Sequence, residues 1–262
     1  MTLRLFTGKG GVGKSTVVAS LALAAAEAGQ TPLVVELGHR ATMESLFRPK
    51  KPIDFTPRDI GHGVFAMNMI ATDAIEDYVA TQVRIRALAR RIVRQTTLAA
   101  LLHAAPAVTE VVTLDKLDRL RASRRFDPIL VDLDATGHAM MFLSLPQVFE
   151  GLARTGPLAA LLERTTTLLR DPSTVLHLVG LPAPLPAQEL LELDAALSDG
   201  ASQVRLGSIV LNRMPAPAPD VDCDALREDF PVEAAVGERA ALRRSQAEAA
   251  VALVKSRINR SM

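Results

Sequence analysis

The chain has 262 residues, enough for one large α/β domain with a sizeable core, and a net charge of +1 that makes no bulk electrostatic case for nucleic-acid or membrane binding. Its single cysteine, Cys223, excludes an internal disulfide framework and a Cys-x-x-Cys metal site within one chain. Aromatic residues make up only 3%, so the core is expected to be aliphatic, built from Leu, Val, Ile, Ala and Met.

Leu3-Arg4-Leu5-Phe6 is a short apolar run read as a strand, and Val17 to Ala28, rich in Ala and Leu, is read as a helix. Between them, Gly8-Lys9-Gly10-Gly11-Val12-Gly13-Lys14-Ser15 fits G-x-x-x-x-G-K-[ST] in full, with Thr16 next in line. Strand, glycine loop and helix in that order are the context of a phosphate-binding loop. Glycines let backbone N–H groups converge on an anion, and the helix N-terminus adds the positive end of its dipole. The loop predicts that Gly10, Gly11, Val12, Gly13, Lys14, Ser15 and Thr16 hold a nucleoside triphosphate. Lys14 is placed to reach the β- and γ-phosphates, and Ser15 to ligate Mg²⁺. The strand and loop at the very start leave no room for a signal peptide, and no apolar run reaches about 18 residues. A cytoplasmic location is the expectation.

Thr31 to Leu37 reads as a buried parallel strand ending at Gly38, Arg48 to Gly63 as an exposed loop, and Val64 to Ile70 as a strand. Ala74 to about Leu102 is helical by pattern, Pro106 breaks it, and Val108 to Ala122 resumes as a helix. The predicted organisation is one domain over 1–262 with a helical insertion at about 73–125 that caps part of the sheet. Phe126 to Asp132 is a strand that delivers Asp132 at its C-terminal end, where a carboxylate can hold a Mg²⁺-bound water; a helix N-cap is the plainer account. Further helices are expected over about Leu158–Arg170, Ala187–Leu197 and Glu238–Ile258, and strands over Val175–Leu181 and Leu206–Arg213. The alternation implies an α/β fold with a doubly wound, mostly parallel sheet and a site at the carboxyl ends of its strands.

The loop with its two lysines, Lys9 and Lys14, resembles the deviant Walker A of the MinD, ParA, NifH and ArsA group. The resemblance implies that Lys9 reaches across a dimer to the partner's nucleotide; the plainer account is a solvated loop lysine. Asp132-Leu133-Asp134-Ala135-Thr136-Gly137-His138, running on to Leu143-Ser144-Leu145-Pro146, resembles the D-T-A-P-T-G-H…L-x-L-P switch II of the ArsA family. That family holds the arsenite-pump ATPases and the ATPases that target tail-anchored membrane proteins. Ala105-Pro106 to Glu110 with Thr113 to Leu117 resembles the A-P-x-x-x-E…L-x-K-x helix of its small bacterial members, and Leu181-Pro182-Ala183 its I-P-E segment, with alanine where glutamate is usual. Val210-Leu211-Asn212-Arg213 resembles its V-V-N-R strand end, which implies that Asn212 reads the adenine edge; on its own Asn212 is also a plain turn former. ATP and Mg²⁺ are the cofactors so implied.

The chain departs from the family at switch I, where a water-orienting aspartate is replaced by Gly38. Glu36 falls about 6–7 Å short of that position on an extended strand. Asp134, two residues past Asp132, is better placed to take its role. Hydrolysis is therefore expected to be weak, or to rely on Asp134 or on a partner subunit, in a homodimer or in a heterodimer with an ArsA-like paralogue. A lone cysteine argues against arsenite binding. Met140-Met141-Phe142 could line a client groove, but core packing is the plainer fate of apolar helical residues. Arg84, Arg86, Arg90, Arg91 and Arg94, and Arg239, Arg243, Arg244, Lys255, Arg257 and Arg260, read as solvated helix faces, so that membrane contact is at most peripheral. A MinD/ParA-type positioning ATPase is the alternative.

Overall fold

Strands as rich in apolar residues as Leu33–Leu37 and Ile129–Asp132 have to be covered on both faces, and the structure, a computed structural model, covers them with helices. It describes residues 1–38, 41–83, 108–133, 139–140, 142–144, 157–201, 203–217 and 222–258. The strands are β1 (Leu3–Thr7), β2 (Leu33–Leu37), β3 (Arg58–Asp59), β4 (Phe65–Met69), β5 (Ile129–Asp132), β6 (Thr174–Gly180) and β7 (Arg205–Leu211). They form one sheet in the order β3-β4-β2-β5-β1-β6-β7, parallel throughout except for the antiparallel edge pair β3 and β4. The helices are α1 (Lys14–Glu27), α2 (Thr42–Phe47), α3 (Ala71–Val83), α4 (Val108–Ala122), α5 (Pro157–Arg170), α6 (Pro184–Ala196), α7 (Cys223–Leu226) and α8 (Pro231–Arg257).

The period of two along the strands divides the core. Leu3, Leu5, Leu33, Val35, Met67, Ile129 and Val131 face one layer, with Ala74, Leu114, Leu117, Leu168, Leu190 and Val254 from α3, α4, α5, α6 and α8. Phe6, Val34, Ala66 and Leu130 face the other, against Val18, Ala19 and Ala22 of α1 and Met43 of α2. The sheet is doubly wound, and its core is largely aliphatic, as expected. Ala139, Phe142 and Leu143 lie in the larger core, so the apolar segment after β5 packs inward.

Several boundaries move for local reasons. Pro184 opens α6 three residues before the expected start at Ala187, and Pro231 opens α8 seven residues before Glu238, because proline suits the first helical turn, where its missing N–H is no loss. The expected loop from Arg48 to Gly63 contains β3, and α2 and α7 are short helices that the sequence did not announce. The predicted helix beyond Val83, Arg84 to Arg94 included, lies outside the described residues, as does Arg260. Within α8 only Ala234, Ala247, Ala250 and Val254 are buried, and Arg239, Arg243, Lys255 and Arg257 are exposed. No helix among the described residues is long and apolar enough to cross a membrane.

α4 is buried nearly all round, and the charges it carries inward are paired. Asp115 accepts from Arg119 at 2.9 Å and from Arg164 of α5 at 3.0 Å. Asp77 of α3 meets Lys116 at 3.2 Å and Arg119 at 2.7 Å. Burial pushes the Asp77 carboxyl up, but these cations outweigh it and hold it below its ordinary range. Paired buried charges add little net stability, and here they link α3, α4 and α5.

His177 on β6 stacks on Phe6 with ring centroids 5.0 Å apart, and its Nδ1 accepts from the Ser208 N–H at 3.1 Å. Burial, helped by Arg4, brings its pKa down to about 4. The unfolded chain takes up this proton near pH 6.5. Between those values the unfolded state binds more protons than the folded one, so stability falls as pH drops from about 6.5 towards 4. Urea melts at pH 7.5 and pH 5 are expected to show this loss in the wild type and a smaller one in His177→Gln.

Candidate functional site

The glycine loop sits at the carboxyl ends of β1, β5 and β6, and its neighbours dictate where glycine is needed. A Cβ at Gly8 would lie 2.0 Å from the Val179 carbonyl oxygen of β6. Gly13 has φ 88°, and a Cβ there would lie 2.3 Å from Nδ2 of Asn212. Gly13 is also the residue before α1, and no side chain caps that helix and no acid sits in its first turn. The amide end of α1 is therefore open and electropositive, which is the condition for binding an anion.

Lys14 is buried and curls back over the loop, its Nζ donating to the carbonyls of Gly8 at 3.0 Å and Lys9 at 3.3 Å. Ser15 Oγ donates to Asp132 Oδ2, so the hydroxyl from α1 and the carboxylate from β5 meet beside the loop. Asp132 is 4% exposed. This pair fits Mg²⁺: the donors are hard oxygens, and a metal that keeps its waters needs only one or two protein ligands beside the phosphates. No cluster of three or more His, Cys, Asp or Glu suited to a metal occurs among the described residues.

Asn212, at the end of β7, donates from Nδ2 to the Val12 carbonyl at 2.8 Å, while its Oδ1 accepts from the Arg213 N–H at 2.9 Å. The carboxamide thus faces the loop. Arg213 is exposed in the left-handed region at φ 59°, and its Nε lies 3.9 Å from the point a Gly13 Cβ would occupy. Of the predicted residues, the structure brings together Lys9, Lys14, Ser15, Asp132, Asn212 and Arg213 around Gly10 to Thr16. Asp134, with Thr136, Gly137 and His138, lies outside the described residues.

Gly38 has φ 83° and donates its N–H to the Met69 carbonyl at 3.1 Å. Glu36 stands beside Asp132 in the register of β2 and β5. Its two oxygens accept from the backbone N–H groups of Thr42 at 3.0 Å and Met43 at 3.1 Å, so it caps α2. Burial raises its pKa, and Asp132 adds to that. Below Gly38 lies a cavity of about 200 Å³ lined by Leu37, Met69, Leu133 and Phe142, with Glu110 of α4 as the acid in its wall.

Two contacts were missed in the sequence. Lys9 Nζ forms an ion pair with Glu189 Oε1 of α6 at 2.5 Å. The Asn212 tie to Val12 is the other. Neither has a local signal, because the partners stand 180 and 200 positions apart.

The chain matches the family model described as "Anion-transporting ATPase" over residues 1–199. It is 31% identical over 221 residues to ATPase BagA of Mycobacterium tuberculosis, covering 80% of this chain and 64% of that one. It is 28% identical over 252 residues to Protein Rv2184c of the same organism, covering 81% and 59%. To the arsenical pump-driving ATPase of Escherichia coli it is 29% identical over 158 residues, covering 58% and 27%. The chain thus spans just under two thirds of the length of BagA.

Proposed function

Because the chain belongs to the anion-transporting ATPase family, we propose that it is an ATP-binding, Mg²⁺-dependent switch protein whose nucleotide state sets how two subunits associate. The observation that carries this reading is the meeting of Ser15 and Asp132 at the open end of α1. Lys14 exchanges the carbonyls of Gly8 and Lys9 for phosphate oxygens, and the loop amides bind the rest. Ser15 and Asp132 would hold Mg²⁺, which would supply positive charge to neutralise the phosphates. In this reading Asn212 supports the loop through Val12, and Arg213, exposed beside Gly13, contacts the nucleotide.

Hydrolysis is the weak step in this reading. Gly38 offers no side chain to orient water, and both oxygens of Glu36 are held by the amides of α2. Turnover then depends on Asp134 or on a second subunit, either a copy of this chain or a homologous one whose nucleotide receives Lys9. A single cysteine, Cys223, supplies no thiolate cluster, so a metalloid cargo is not part of the proposal. We expect the purified chain to bind ATP yet turn it over well below about 1 s⁻¹. A rate above that, unchanged in Asp134→Asn, would overturn the hydrolytic part. Mass measurement with ATP and Mg²⁺ separates a homodimer from a chain that needs another partner.

A further inference from the structure

We propose that Glu189 is a positioning residue for Lys9: an in-chain counter-ion that holds the loop's second ammonium on α6 until a nucleotide in another subunit competes for it. This rests on the reading that Lys9 serves a second subunit. Lys9 Nζ lies 2.5 Å from Glu189 Oε1, and the side chains are 62% and 34% exposed. The ammonium is thus held at one end while its stem is free to swing. α6 contains no basic residue, so Glu189 has no cation from its own helix. Its second oxygen, Oε2, is buried without a hydrogen-bond partner among the described residues. Both side chains line a cavity of about 270 Å³ walled by Val12, Val179, Leu190 and Leu193.

The loop also contains the means of release. The Lys9 carbonyl accepts from Lys14 Nζ at 3.3 Å, so residue 9 is gripped by Lys14 at its backbone and by Glu189 at its side chain. A nucleotide bound in the same chain draws Lys14 to its phosphates and frees the backbone grip. Only the Glu189 contact then remains, and an exposed pair of this kind is weak enough to be exchanged for a more highly charged phosphate.

Trace acetylation of the nucleotide-free protein, read by mass spectrometry, tests the counter-ion directly. In Glu189→Gln, Lys9 is expected to label about 1.5–5 times faster than in the wild type, with the exposed Lys50 and Lys51 unchanged and the difference shrinking in 1 M salt. Glu189→Ser should behave alike, which guards against a folding defect in one variant. Equal labelling of Lys9 in all three proteins would overturn the assignment. Sedimentation with ATP and Mg²⁺ tests the reading beneath it: Lys9→Ala should weaken association and Glu189→Gln should strengthen it. Unchanged association in Lys9→Ala, with the labelling difference intact, would remove the second-subunit role while leaving Glu189 as the counter-ion.

Discussion

Lys14→Ala is expected to weaken ATP binding by about 100-fold or more. The ammonium lies inside the loop, on a residue 5% exposed, and donates to two carbonyls. Hydrogen bonds to charged groups contribute roughly 1.5–3 kcal/mol each, so two lost contacts to phosphate oxygens amount to about two to four powers of ten. The Gly8 carbonyl is buried and loses its donor, which costs about 1–3 kcal/mol, so a fall in melting temperature of several degrees should accompany the loss of affinity. Titration calorimetry with ATP and Mg²⁺, alongside a thermal melt, separates the two effects. Affinity within about threefold of the wild type would show that the loop does not grip phosphate through Lys14.

The second large effect is on stability. In Gly8→Ala the new methyl group meets the Val179 carbonyl oxygen at 2.0 Å and its carbon at 3.0 Å. Val179 cannot retreat, because β6 is hydrogen-bonded to β1 on one side and to β7 on the other. A loss on the order of 2–4 kcal/mol is expected, typical of overpacking against fixed backbone. For a chain of this size that corresponds to a fall in melting temperature of roughly 4–16 °C. Gly10→Ala is the control: nothing lies within 4 Å of its Cβ position, and its melting temperature should be nearly unchanged. Equal melting of the two variants would mean that the loop does not press on β6.

The fold was legible because its signals are local and periodic. Continuous apolar runs such as Leu33 to Leu37 and Ile129 to Asp132 read as buried strands, and their two-residue alternation set the two core layers. The glycine loop and Asp132 were legible as a candidate site because their residues lie next to one another or at a strand end. What the sequence hid falls into two kinds. Short elements such as α2 and β3 are fixed by tertiary contacts, and Glu36, which reads as a misplaced acid, turns out to cap α2. Distant pairs leave no trace in spacing, and Glu189 looks like any helix-surface glutamate until the sheet brings α6 beside Lys9.

The tie between Asn212 and Val12 has a further consequence for how the protein is made. The whole glycine loop is synthesised within the first 16 residues, yet the carbonyl of Val12 waits for a donor 200 positions later. A chain emerging N-terminus first therefore carries the complete motif for most of its synthesis without the strand that braces it. The bracing of the loop is therefore a late property of this protein, acquired when β7 joins the edge of the sheet.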